Sequence, residues 1–215
     1  HPEHGVVTPK HFIQFAEETG MIEPIGEWVV QRACYQLREW QDAGLPLQRV
    51  GVNLSMRQFQ QADLAERIHS ALASSGLAPD SLEIELTESV VMQGLDATLD
   101  TLNQLKALGV KVSIDDFGTG YSSLSYLKRL PIDYLKIDRS FIAGIPDDAK
   151  DVALTQAIIG LARRLQFKVI AEGVEYAEQQ AFLLTENCDE AQGYWFSPPL
   201  PVGQLLRFLE AQTVI

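Results

Sequence analysis

Apolar residues recur along the chain with two different periods, and each period predicts one kind of element. Eight segments have apolar residues at helical spacing. Helices are predicted over Pro9–Thr19, Ile25–Ala43, Gln60–Ser75, Leu95–Leu108, Ser122–Leu130, Asp148–Leu165, Tyr176–Thr185 and Val202–Ala211. Short apolar runs predict strands over Arg49–Ser55, Leu82–Glu88, Lys111–Asp116, Asp133–Asp138, Lys168–Glu175 and Ala191–Phe196. From Arg49 onward, each predicted strand is followed by a predicted helix.

This alternation predicts a parallel sheet, because two parallel strands need a crossover connection between them. Many such repeats favour closure, so the predicted fold class is α/β, a TIM-barrel-like (β/α)8 barrel. A doubly wound open sheet is the main alternative. It should carry a glycine-rich phosphate turn after its first strand, and VNLSMRQ (52–58) is no such turn.

The number of strands bears on the domain organisation. A complete barrel has eight strands and about 250 residues, whereas the pattern predicts six strands in 215 residues. We therefore expect residues 1–215 to form a single domain that is N-terminally incomplete, with one or two further strands before His1.

Composition and charge narrow the class of protein. No apolar run reaches the ~20 residues of a membrane span, and no signal-peptide pattern opens the chain. Cys34 and Cys188 are too few for a disulfide framework, so we expect free thiols and a cytoplasmic location for this part of the protein. The net charge of −12 argues against binding to a nucleic acid polymer.

Polar side chains follow the apolar run of every predicted strand, which is where barrel enzymes place their chemistry. They are Asn53, Ser55, Glu85, Glu88, Asp115, Asp116, Lys136, Asp138, Glu172, Glu175 and Gln192. Strand periodicity predicts that Asn53 and Ser55 share a face. One carboxylate at a strand end is as often a helix cap or a solvated loop residue. Six consecutive strands with polar ends favour a shared site.

Carboxylates gathered at one mouth would repel each other, and divalent cations are the obvious means of offsetting that repulsion. The candidate ligands are Glu85, Asp115, Asp116 and Glu172 with the Asn53 amide. Oxygen-only ligands suit Mg²⁺ or Mn²⁺.

Lys136 has two interpretations. It is either a solvated strand residue or a buried cation beside the metals, where it could orient water or stabilise charge on a phosphate. A pair of ions about 3.5–4 Å apart that activates water against a phosphodiester is the chemistry such a set serves best.

Other kinds of site fit less well. The triplet Asp116-Phe117-Gly118 suggests a protein kinase, but the H-R-D loop that should precede it is absent. The four histidines form no H-E-x-x-H zinc motif. No G-x-S-x-G nucleophile elbow occurs either.

Six ordered motifs resemble the EAL domain family over essentially the whole chain. They are NLS (53–55), ELTES (85–89), IDDFGTGYSSLSYL (114–127), LKIDRSF (135–141), AEGVE (171–175) and AQGYWFSPPLP (191–201). The resemblance implies a phosphodiesterase that hydrolyses the bacterial messenger cyclic di-GMP to linear pGpG with Mg²⁺ or Mn²⁺.

The resemblance also implies roles for individual residues. Asn53, Glu85 and Asp115 match ligands of the first metal, and Asp116 matches a ligand of the second. Lys136 matches the lysine beside the nucleophilic water.

Further roles follow from the same resemblance. Glu172 matches a carboxylate that serves as general base or second-metal ligand, and Ser55 and Gln192 are assigned to substrate binding. Glu88 and Glu175 match carboxylates that hold a mobile loop, which here is the Gly- and Ser-rich stretch 117–123.

The sequence departs from the family pattern in two places. The Glu-Ala-Leu motif that names the family, whose glutamate is a metal ligand, would precede His1 and is not in the chain. We therefore expect the 215 residues alone to be impaired as an enzyme. Pro198 stands where the family often has a basic residue, so contacts at the nucleotide rim are expected to differ.

Three functions remain in competition. The first is an active cyclic di-GMP phosphodiesterase, expected to be a homodimer fused to sensory or signalling domains. The second is a catalytically inactive cyclic di-GMP receptor or regulatory module. The third is a metal-dependent lyase of the enolase type, which the adjacent aspartates and the ordered motifs fit poorly.

Overall fold

Strands and helices alternate along the chain as the hydrophobic pattern predicts. The computed structural model describes residues 3, 5, 7–93, 95–120 and 124–212, which form six strands and eleven helices besides short 3-10 turns. Two compact units divide the chain, residues 1–112 and 113–215. The single domain expected over residues 1–215 stays a prediction.

The first unit contains the helix-rich part of the chain and one parallel strand pair. Its helices are α1 (Ile13–Thr19), α2 (Ile22–Asp42), α3 (Met56–Phe59), α4 (Leu64–Ser75), α5 (Glu88–Val91) and α6 (Leu95–Leu108). Its strands are β1 (Val50–Asn53) and β2 (Leu82–Thr87). They pair in parallel with Asn53 opposite Glu85. This register brings two predicted metal ligands side by side.

Helix α2 shows how sequence periodicity becomes packing in this unit. Its buried residues lie three or four positions apart, at Ile22, Gly26, Val30, Cys34 and Leu37. Residues at that spacing share one face, and this face packs against α4. Helix α2 also packs against β1, so this helix pair supports the first strand.

The second unit continues the parallel pattern. Strand β3 (Lys111–Phe117) starts at the end of the first unit, and β4 (Tyr134–Ile137), β5 (Lys168–Ala171) and β6 (Glu190–Ala191) follow. The helices are α7 (Leu124–Leu127), α8 (Arg139–Ile142), α9 (Ala149–Arg164), α10 (Ala177–Thr185) and α11 (Val202–Gln212). Strand β4 pairs in parallel with β3 and with β5, and β5 pairs with β6.

Strand β4 is buried along its whole length, as parallel strands covered on both faces are. Helix α9 packs against β4 and β5. Asp148 caps the start of this helix. Its carboxylate accepts the backbone N–H groups of Lys150 and Asp151 and so supplies partners that a helix start otherwise lacks. The predicted parallel α/β architecture is thus confirmed within this unit.

The predicted strand Ala191–Phe196 is wrong beyond its first residue. Strand β6 ends at Ala191, and the chain then turns. Gly193 lies so close to the Val174 backbone that a Cβ atom would overlap it. The Val174 N–H donates to the Gln192 carbonyl, and the Trp195 N–H donates to the Val174 carbonyl. These contacts fold the segment over the end of β5 instead of extending the sheet.

Strands β2 and β4 end one residue earlier than predicted, and β1 and β5 end two and four residues earlier. Strand β1 stops at Asn53, because Ser55 caps α3. The face that Asn53 and Ser55 were expected to share therefore does not arise from one strand. Strand β5 stops at Ala171, so Glu172 and Glu175 lie in the connection after it.

Membrane insertion through a helix finds no support in the part of the chain that the structure describes. None of its helices combines the length and the apolar character needed to cross a bilayer.

Candidate active site

The two adjacent aspartates lie at an irregularity near the end of β3. Consecutive side chains of a regular strand point to opposite faces. Here the pairing register with β4 shifts between Ile114 and Phe117, and Asp116 has a positive φ of 54°. A bulge of this kind re-aims a side chain. As a result, carboxylate oxygens of Asp115, Asp116 and Glu172 lie within 4.8 Å of one another.

Glu172 enters this cluster from the connection after β5. Its backbone N–H donates to the Ile137 carbonyl at 3.1 Å, which continues the β4–β5 ladder by one step. Its Oε1 accepts a hydrogen bond from Gln192 Nε2 at 2.6 Å. The residue is half-buried, so its carboxylate is oriented by these contacts.

Lys136 is the cation of the cluster. Its side chain on β4 is only 4% exposed, and its Nζ lies 3.2 Å from Asp115 Oδ1 and 2.7 Å from Glu172 Oε1. Burying an ammonium group is costly unless charged partners compensate, and the two carboxylates do so. Lys136 is therefore a buried cation and not a solvated strand residue, and its role beside metal ions stays a prediction.

Asp116 also contacts Asp138, which follows β4 and caps α8. Burial raises the pKa of Asp116, and the charges of Asp115 and Asp138 raise it further. Burial alone would raise the pKa of Asp138. Hydrogen bonds from the Ser140 hydroxyl and N–H and from Asp116 outweigh that effect and lower the pKa. Asp116 is therefore the member of this carboxyl pair that takes up a proton first as the pH falls.

The donor chemistry of this cluster fits a hard divalent cation. Its three carboxylates outnumber its one ammonium group. Burial is the main cause of the raised pKa of Asp116, and the negative charges of Asp115 and Asp138 add to it. Oxygen donors and surplus negative charge are what Mg²⁺ and Mn²⁺ require. Asp115, Asp116 and Glu172 are the residues that could hold such an ion.

In the first unit, Asn53 and Glu85 form a second polar pair. Asn53 Nδ2 donates to Glu85 Oε2 at 2.9 Å across the β1–β2 register. Gly51 leaves the space that this carboxylate fills, because a Cβ atom there would overlap Glu85 Oε1. The glycine on β1 thus determines where the Glu85 carboxylate lies.

Two further predicted residues of the first unit have local environments of their own. The Ser55 hydroxyl accepts the Gln58 N–H at 3.3 Å and caps α3. Glu88 is buried at the first position of α5. The substrate-binding role of Ser55 and the loop-supporting role of Glu88 stay predictions.

The loop-supporting role of Glu175 is also a prediction. Its side chain is exposed and lines a cleft of about 440 Å³ with Arg139, Ser140 and Tyr176. The loop that Glu175 should hold is described as far as Gly120, and residues 121–123 of the expected mobile stretch 117–123 lie outside the described residues.

Sequence reasoning gave no role to two residues that the structure places beside the site. Asp138 is one of the polar residues at the predicted strand ends, but its position in the sequence does not predict that its side chain contacts Asp116. Gln179 is buried within α10. Its position three residues after the helix boundary resembles that of a capping glutamine, the one signal that could have found it.

The chain is similar to proteins of one family over most of its length. The model of the family described as "EAL domain" matches residues 1–199. The chain is 50% identical over 206 residues to the bifunctional diguanylate cyclase/cyclic di-GMP phosphodiesterase MucR of Pseudomonas aeruginosa, covering 96% of this chain and 30% of MucR. It is 48% identical over 211 residues to the cyclic di-GMP phosphodiesterase NbdA of the same organism, covering 98% of this chain and 27% of NbdA.

A solved structure of the PaMucR phosphodiesterase in complex with c-di-GMP superposes with a TM-score of 0.92 at 49% identity. The superposition covers 95% of this chain and 83% of that one. This similarity confirms the predicted TIM-barrel-like α/β fold class. The chain spans less than a third of the length of the two curated relatives.

Proposed function

Because the chain belongs to the EAL domain family, we propose that it is the metal-dependent phosphodiesterase part of a signalling protein and hydrolyses cyclic di-GMP to linear pGpG. The observation that carries the proposal is the cluster in which Asp115, Asp116 and Glu172 gather around buried Lys136. The names of the relatives MucR and NbdA support the choice of substrate.

The metal would be held first by the carboxylates of the cluster. Asp115, Asp116 and Glu172 supply oxygen donors within 4.8 Å of one another. We assign Asn53 and Glu85 as further ligands on the strength of their motifs and of their mutual hydrogen bond. A bound divalent cation would polarise a phosphoryl oxygen and lower the pKa of water.

Lys136 would stabilise the negative charge that develops on the phosphate during attack. Its ammonium group is fixed by two carboxylates and shielded from solvent, and such a preorganised charge needs little reorganisation during the reaction. Asp115 and Glu172 hold it in place.

Glu172 and Gln192 would act as a pair. The carboxamide of Gln192 donates to Glu172 Oε1 and so orients the carboxylate, which we assign as general base or as metal ligand. Gln192 and Ser55 are assigned to contacts with the nucleotide.

A non-catalytic cyclic di-GMP receptor is the second candidate. Such a module needs no buried lysine between two carboxylates. The pairing of Lys136 with Asp115 and Glu172 therefore favours the enzyme over the receptor.

Release of pGpG from cyclic di-GMP tests the proposal, measured by chromatography with Mg²⁺ or Mn²⁺ and with a chelator as blank. The protein that contains this chain together with the segment expected before His1 is compared with its Glu85→Ala variant and with Glu66→Ala, a matched control on an exposed position of α4. We expect Glu66→Ala to match the wild type and Glu85→Ala to lose activity. Equal rates for all three would refute the metal assignment, and nucleotide binding without product would favour the receptor.

The same proposal includes a homodimer, fusion to sensory or signalling domains, and a cytoplasmic location. MucR and NbdA are each more than three times longer than the segment they share with this chain, which supports the expectation of additional domains. Sedimentation of the purified protein with and without cyclic di-GMP would test the dimer.

A further inference from the structure

Gln179 is a buried amide that serves three backbone groups at once. It lies in the first turn of α10, and 2% of its surface is exposed. Its Oε1 accepts the N–H groups of Glu175 at 2.7 Å and Tyr176 at 3.1 Å. Its Nε2 donates to the Ile142 carbonyl at 2.9 Å. Both ends of the amide are therefore engaged.

These three bonds join two connections that follow neighbouring strands. The Ile142 carbonyl ends α8, which starts directly after β4 and Asp138. The Glu175 and Tyr176 amides belong to the connection between β5 and α10. Strands β4 and β5 are paired in parallel, so Gln179 fastens together the segments that leave them.

The connection 172–176 has no regular structure, and its amides are anchored one by one. The Glu172 N–H donates to Ile137 and the Val174 N–H donates to Gln192. Gln179 accepts the next two. Gly173 has a φ of 72° and leaves no room for a Cβ atom beside Arg139, so α8 packs directly on this connection.

We propose that Gln179 is a positioning residue of the metal site. It holds the backbone of residues 172–176 against α8 and thereby fixes the Glu172 carboxylate beside Asp115, Asp116 and Lys136. This inference rests on the proposed function, since it assigns to Gln179 the task of keeping a metal ligand in place.

Burial is what makes the side chain necessary. An apolar residue at this position would leave the N–H groups of Glu175 and Tyr176 without their partner, which is costly beside a buried side chain. The Ile142 carbonyl would keep only its hydrogen bond from the Ile145 N–H, at 3.3 Å. The connection would have to move to recover partners, and Glu172 would move with it. A residue that only caps α10 would instead affect the stability of that helix and leave Glu172 where it is.

The test compares three variants of the full chain. Gln179→Leu removes the donor and the acceptor with little change of volume, whereas Gln179→Glu keeps the acceptor. Thr155→Val is the matched control, because buried Thr155 donates its hydrogen bond to the Phe141 carbonyl of α8, at 3.2 Å, and not to the 172–176 connection.

Two quantities are measured without substrate: amide hydrogen exchange, and Mn²⁺ affinity by titration calorimetry. We expect Gln179→Leu to speed exchange at Glu175, Tyr176 and Val174 and to weaken Mn²⁺ binding about 10–100-fold, the cost typical of losing support behind a ligand. Gln179→Glu should keep the Glu175 and Tyr176 amides protected and recover part of the affinity. Thr155→Val should bind Mn²⁺ like the wild type.

An unchanged Mn²⁺ affinity in Gln179→Leu would overturn the inference, as would an equal loss in Thr155→Val. A wild type that binds no Mn²⁺ and releases no pGpG would refute the proposed function and the positioning role with it. Hydrogen exchange would then still show whether Gln179 holds residues 172–176.

Discussion

Lys136 Nζ lies 2.7 Å from Glu172 Oε1, and the lysine side chain is almost fully enclosed. This contact joins the residue assigned to charge stabilisation with the residue assigned as base or ligand. The two partners of Lys136 are the carboxylates of Asp115 and Glu172, and a substitution of the lysine leaves both in the chain. The effect of the lysine charge on the rate can therefore be measured separately from the effect of losing the metal.

We predict that Lys136→Met lowers the rate of pGpG release about 10²–10³-fold, the cost of removing one preorganised donor. Mn²⁺ binding should persist, because the carboxylates remain and lose a competing cation. Rate and calorimetric affinity are measured on the same preparation. Lys128→Met, at an exposed position, serves as control, and a wild-type rate in Lys136→Met would contradict the role of the lysine.

Asp116→Asn should stabilise the metal-free protein and weaken its metal binding. Burial, Asp115 and Asp138 raise the pKa of Asp116, so the folded state favours the neutral form and the charge opposes folding. Wild-type stability should therefore rise as the pH falls through the raised pKa, and the variant should lack this component. Asparagine also tolerates the positive φ.

Thermal unfolding across pH, with and without Mn²⁺, measures both effects. Metal binding to the folded state raises the wild-type Tm by mass action, and we expect Asp116→Asn to lose affinity at least about tenfold. Asp147→Asn, an exposed aspartate, is the control. A lower metal-free Tm in Asp116→Asn would contradict the prediction.

Gly51→Ala should impair activity with little effect on stability. Its Cβ would overlap the Glu85 carboxylate, which can swing aside but then loses the bond from Asn53. A displacement of about 1 Å can cost about 10²-fold in rate.

Gly160→Ala is the contrasting control, because a Cβ there meets no atom within 4 Å and should stabilise α9 by about 0.5–1 kcal/mol. Kinetics and denaturant unfolding distinguish the two, and full activity in Gly51→Ala would exclude the proposed role of Glu85.

The two cysteines should resist alkylation in the native state. Burial raises the pKa of Cys34 and of Cys188 to about 11, so about 0.1% of each is thiolate at pH 8. Iodoacetamide labelling, followed by mass spectrometry, should be about 100-fold slower than in denaturant. The folded state keeps these protons above pH 9, so stability should also fall as pH rises from about 9 to 11. Rapid labelling of the native protein would disagree with the raised pKa values.

Much of the fold could be predicted because parallel α/β structure leaves long traces in a sequence. Helices such as α6 and α9 extend over several turns, so their apolar period is visible. Helices α3, α5 and α8 have four residues each, which is too few to show a period. The segment Ala191–Phe196 looks like a strand, but its course is decided by the contact between Gly193 and Val174, and no local pattern carries a tertiary contact.

The candidate site was predictable in its residue types and less so in its geometry. Polar strand ends predicted that Asp115, Asp116 and Glu172 belong together, and the structure places their carboxylates in one cluster. The contact between Asp116 and Asp138 depends on the bulge in β3, and the role of Gln179 depends on carbonyl and amide groups that are the same in every residue. The sequence does not encode such backbone contacts in a readable pattern.

The bulge at Asp115 and Asp116 has one more consequence. The two donors are on adjacent residues, so backbone torsions fix the separation of their Cβ atoms and thereby limit how far apart their carboxylates, and the ions they are assigned to, can lie. Discrimination between ions of different radius would then depend on the left-handed conformation of Asp116. A β-branched residue in place of Phe117 would keep both carboxylates but constrain the backbone next to Asp116, so we expect it to change which ion fits and not how many ligands are present.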